Sequence, residues 1–153
     1  MSTSAFPDAD PARSARMRLF ALAEPAELAA AVGDLGRGLR WSLLRAPETG
    51  MVMARGRIGG DGAPFNLGEV TATRCTVALE DGPAGYACIL GRDRDKALHA
   101  AILDAAMQVP ETAPLVERRL LVPLGERLAA ADAAADRKTA ATKVDFFTLV
   151  RGD

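Results

Sequence analysis

The chain has 153 residues, 49% hydrophobic and 25% charged, enough for one globular domain with a real core. With 19 basic and 20 acidic residues its net charge is -1, so it lacks the cationic footprint that nucleic acid or an anionic membrane surface demands. No apolar run reaches bilayer length and MSTSAFPDADPARSAR is no signal peptide, so a cytoplasmic location is expected, with Cys75 and Cys88 kept as thiols.

Residues 1–10 mix Ser, Thr, Pro and Asp and read as a disordered N-terminal tail. Asp10 followed by Pro11 is a helix start, with Met17, Phe20 and Ala21 at helical spacing behind it. Pro25 opens a second short helix, PAELAAAVGDLG, which Gly33 and Gly36 stop. From Leu39 the period changes to two. LRWSLLR (39–45) and MVMARGR (51–57) read as strands joined by a hairpin turn at APETG, with Trp41 in the core and Arg55 within its reach.

The glycine-rich loop 58–68 leads into a long strand, GEVTATRCTVALE. A turn about Asp81 and Gly82 then pairs it with GYACILG, so that Cys75, Val77 and Leu79 face the core together with Tyr86, Cys88 and Leu90. Asp93 caps a helix with the apolar stripe Leu98, Ala101, Ile102, Ala105 and Ala106. Pro110 and Pro114 end that pattern. Residues 115–124 fit a strand or a short helix, and the strand reading is preferred. Residues 125–142 have high helix propensity, but beyond Leu128 they offer almost nothing large to bury.

The chain closes on VDFFTLVRGD, with two of its five phenylalanines side by side. Adjacent strand residues face opposite ways, so Phe146 and Phe147 need cover on both sides. Either the terminal strand lies between two layers of its own domain, or it docks on another chain through a groove or by strand addition. The second reading makes Phe146, Phe147, Leu149 and Arg151 a partner interface. The whole is an α+β fold: an antiparallel sheet with helices packed mainly on one face, an N-terminal helical pair and a C-terminal helix-strand arm. Residues 11–153 form a single domain in this reading, with 125–153 as the arm.

Chemistry-bearing patterns are sparse. His99 stands alone without metal-ligand company, and no nucleophile elbow, Walker loop or dinucleotide fingerprint is present, so neither catalytic nor metal-binding residues are assigned. An anion has two candidate seats. Arg57 with Gly59 and Gly60 could hold phosphate through guanidinium and backbone N–H groups, and Arg92 precedes a helix N-terminus.

The segments PETG (47–50), GRIGGDGAPFNLGEVTATRCTVAL (56–79), GYACILGRD (85–93), ILDAAMQ (102–108) and VDFFTLVRG (144–152) resemble, in order and spacing, the PhnG family of the bacterial carbon–phosphorus lyase system. The matching positions include Gly59, Gly60, Phe65, Asn66, Gly68, Glu69, Thr73, Arg74, Gly91, Arg92, Asp93, Phe146, Phe147 and Arg151. The resemblance implies an accessory subunit in organic phosphonate catabolism, in a cytosolic core complex with PhnH, PhnI and PhnJ. With PhnH, PhnI and PhnL it would support exchange of the adenine of MgATP for methylphosphonate, giving ribose 1-methylphosphonate 5-triphosphate. MgATP is then a substrate of the complex, and no cofactor is expected on this chain alone. Two other readings stand beside it: a phosphate- or phosphonate-binding enzyme subunit using the GGDG and GRD loops, and a homodimer formed by arm exchange.

Overall fold

A computed structural model describes residues 10–36, 38–57 and 62–141. The N-terminal helical pair forms where the caps and prolines place it. Helix α1 (Pro11–Leu22) starts on Asp10, whose Oδ1 accepts the Ala12 N–H at 2.9 Å. Helix α2 (Pro25–Asp34) starts on Glu24, whose N–H donates to Glu27 Oε2 at 2.8 Å. Phe20 of α1 and Leu28 and Ala31 of α2 are buried.

Three antiparallel strands follow in the order β1 (Trp41–Gly56), β2 (Phe65–Leu79), β3 (Ala84–Leu90). The expected hairpin at APETG does not form. Residues 41–56 are one continuous edge strand, and the pairing with β2 absorbs the irregular residues in register shifts between Leu43 and Arg45 and between Arg45 and Glu48. Pro47 lies in the second shift, where a strand tolerates a residue without an N–H. Trp41 and Arg55 therefore sit about 45 Å apart along one strand, far beyond cation–π reach. Trp41 is also 38% exposed, not a core residue.

The β2–β3 hairpin forms as expected but one residue out of the expected register. Asp81 takes a left-handed φ of 56° in the turn, Ala78 pairs with Ala84, and Cys75 pairs with Ala87. A shift of one residue turns every side chain of β3 over. Cys75, Val77 and Leu79 are buried as expected, but their companions are Ala87 and Ile89. Tyr86, Cys88 and Leu90 point to the open face.

Helix α3 (Arg94–Ala106) begins on Asp93, whose Oδ1 accepts the Lys96 N–H at 2.8 Å, and returns across β3 and β2. Its alanines let it lie very close to the sheet. Ala97, Ala100, Ala101, Ala105 and Ala106 are buried beside Ile102 and Leu103, and Leu98 of the expected stripe is partly covered. At Gly85 an added Cβ would lie 2.5 Å from Ala105 N and 2.8 Å from Ala105 Cβ, so only glycine fits beneath the helix.

Residues 115–124 are helical, not a strand. Helix α4 (Ala113–Val116) runs through a π-helical turn (Glu117–Leu121) into α5 (Val122–Ala141). In the turn the Val122 N–H reaches back to Glu117 O, and this wider winding comes immediately before Pro123, which has no N–H to donate. Val116, Leu120, Leu121 and Leu124 are buried against the body, Leu128 is partly buried, and α5 is otherwise mostly exposed as far as its side chains are described. Residues 1–9 and the terminal segment with Phe146, Phe147, Leu149 and Arg151 lie outside the described residues.

Candidate partner-binding surface

The described helices gather on one side of the sheet, and among the described residues nothing covers its other side or one end. The last residue of β3, Leu90, pairs with Ala72, and beyond that point β1 and β2 continue alone from the Met51–Thr71 pair to the Gly56–Phe65 pair. At about 3.3 Å per residue, this ribbon projects about 23 Å past the three-stranded part. Helix α3 gives it no roof, because it starts just after β3 and runs back the other way: its Asp104 reaches Tyr86, at the beginning of β3.

The ribbon is nevertheless apolar. Met51, Met53, Phe65, Leu67 and Val70 are all exposed, Met51 and Leu67 each to 63%. Cross-strand partners share a face and successive residues alternate, so Met51 and Met53 continue the face of Thr49 and Thr73, whose hydroxyls meet at 3.0 Å on the core side. Val52 and Val70, paired directly, occupy the opposite face. Alternation in a sequence cannot by itself show that a strand outruns its cover.

On the open face of the three-stranded part, Tyr86 and Cys88 alternate outward beside Thr76 and Arg74, their partners on β2, and Leu90 is 72% exposed. Partial burial pushes the Tyr86 phenol up, and the Cys88 thiol adds to this while Arg74 and Arg45 oppose it. Cys75, on the core side, has its thiol pushed up by burial and donates to Arg45 O at 3.5 Å.

The two anion seats read from the sequence stand apart. Arg57, at the far end of the ribbon, donates to Gly62 O at 3.1 Å; Gly59 and Gly60 lie outside the described residues. Arg92 is exposed beside the end of β3, between Gly91 at φ 97° and the capping Asp93. The β2 register separates Gly56 from Leu90 by the full length of the ribbon, so the two arginines do not converge on one ligand. At the α3 N-terminus the Asp93 carboxylate already occupies the Lys96 N–H.

Asp104 is fully buried. Its carboxylate accepts from Arg13 Nε at 3.1 Å, Arg13 Nη2 at 2.6 Å and the Tyr86 N–H at 2.9 Å. Through that hydrogen-bonded pair the Arg13 pKa is raised further. The group clamps α1, α3 and β3 together and is fully engaged in doing so. Other polar ties complete the body: Lys96 Nζ to Ala21 O at 2.8 Å, Arg127 to Glu27 at 2.9 Å, and Arg40 to Glu80. Among the described residues no three His, Cys, Asp or Glu side chains gather as a metal site, and no helix is long and apolar enough to cross a membrane.

The family described as phosphonate metabolism protein PhnG matches residues 11–152 of this chain. A protein of Rhizobium meliloti (strain 1021) is 46% identical over 137 residues, a span covering 90% of this chain and 87% of the relative. That relative is named alpha-D-ribose 1-methylphosphonate 5-triphosphate synthase subunit PhnG.

Proposed function

The chain belongs to the PhnG family of phosphonate metabolism, and from that membership we propose that it works as an assembly subunit of a ribose 1-methylphosphonate 5-triphosphate synthase. The carrying observation is the apolar surface exposed among the described residues: a subunit of a larger complex has a use for such a surface, and free-standing proteins rarely keep one. In this reading PhnI-, PhnH-, PhnJ- and PhnL-type subunits are its partners, and MgATP and methylphosphonate are substrates of the complex. The chain itself binds no cofactor and contributes no catalytic side chain. The apolar tail residues Phe146, Phe147 and Leu149, with Arg151, belong to the same contact system.

Reconstitution tests the reading. The other synthase subunits should form product from MgATP and methylphosphonate only when this chain is added. The full rate without it would refute the role. Replacing Phe146 and Phe147 together by Ala should lower co-purification with the partners while the chain stays folded.

A further inference from the structure

We propose that the β1–β2 ribbon, residues 50–57 and 62–72, is an insertion element: it enters a cleft in a different subunit, with apolar walls touching both of its faces. The inference rests on the assembly reading above and adds where the contact is and what shape the partner has.

Both faces of the ribbon ask for cover. Met51 and Met53 stand out on one face; on the other Val70 is exposed beside its half-buried partner Val52, and Leu67 and Phe65 are exposed toward the far end. A second copy of this chain, related by a two-fold axis, would present one patch to its mate and cover a single face, leaving the other in water. A cleft covers both. The methionines suit the role, since their unbranched, polarizable side chains adapt to an irregular wall.

The ribbon also has the mechanical form of an inserted part. It is narrow, projects about 23 Å, and is continuous with the sheet, so it arrives pre-ordered at its base. Within it the Leu67 side chain lies across Gly56, where an added Cβ would be 2.6 Å from Leu67 Cδ1.

The test uses the full chain co-expressed with the other synthase subunits. A photo-crosslinking residue replaces Met51 in one preparation and Val70 in another. Both should crosslink to the same partner subunit, because the cleft has two walls. Met51→Ser with Met53→Ser, and separately Val52→Ser with Val70→Ser, should each lower the recovered complex at least tenfold, with the thermal midpoint of the isolated chain nearly unchanged. Crosslinks from only one face, crosslinks to a second copy of this chain, or crosslinks to residues 142–153 of the same chain would each overturn the insertion. If the complex forms undiminished with both double variants but is lost with the Phe146 and Phe147 replacement, the insertion fails while the assembly role stands.

Discussion

Replacing Gly85 by Ala tests how closely α3 lies on the sheet. The added methyl would meet Ala105 N at 2.5 Å and Ala105 Cβ at 2.8 Å, and Ala101 O closer still. Two of those atoms are helix backbone and the third is fixed to it, so no side chain can rotate away; the whole helix must shift. Overpacking of a filled core costs about 1–3 kcal/mol, and the rigid contact puts this case near the upper end, about 3 kcal/mol. In a chain of this size each kcal/mol lowers the melting midpoint by about 2–4 °C, so a fall of about 6–12 °C is expected. Gly50→Ala is the matched control: an added Cβ there meets nothing within 4 Å. It should leave the midpoint within about 2 °C, or raise it slightly through the unfolded chain's lost freedom. Circular dichroism melts of the two variants decide the matter. An unchanged midpoint for Gly85→Ala, or equal losses in both variants, would refute the packing argument.

Asp104→Asn removes the charge that Arg13 faces while keeping the side chain's shape. With Asp104 fully buried and the Arg13 side chain 36% exposed, the cost is discounted for solvent to about 2–3 kcal/mol. It would be read as a urea midpoint lowered by about 1 M, and an unmoved midpoint would show that the clamp is idle. The cysteines should separate by position: in the folded chain Cys88 reacts with an aromatic disulfide reagent, while Cys75, buried with its thiol pushed up, reacts only after unfolding. Two thiols titrating at the same rate under native conditions would contradict the β3 register.

Much of the helical part was legible because it rests on short-range chemistry. Asp10 and Pro11, Glu24 and Pro25, and Asp93 each satisfy backbone groups within one turn, so the start of each helix is written locally. The sheet was harder because its decisions are made across strands. Pro47 and Gly50 look like turn residues, yet pairing with β2 over the full length of β1 outweighed their local preference, and register shifts took up the misfit. One left-handed residue, Asp81, set which side chains of β3 enter the core. The helical state of residues 115–124 was hidden by a proline that a π-helical turn accommodates. Of the candidate surface, the apolar residues were visible but their exposure was not, because exposure depends on where β3 and α3 stop.

The ribbon's energetics say how many contacts the assembly needs. Full burial of a large apolar side chain is worth about 1.5–3 kcal/mol, and Met51, Met53, Phe65, Leu67 and Val70 are already roughly half covered, so a cleft around them returns about 4–8 kcal/mol. Association costs an estimated 4–15 kcal/mol in lost freedom before any contact is counted. The ribbon alone therefore holds a partner weakly at best. A lasting subunit contact needs a second surface acting in the same encounter, and two are at hand: the open sheet face with Tyr86, Cys88 and Leu90, and, in the reading proposed here, the apolar tail. If the ribbon enters a cleft first, it raises the effective concentration of whichever surface follows. Losing either member of such a pair should then cost nearly the whole complex, which is why the single-face and tail variants are each expected to act strongly although neither removes more than a few side chains.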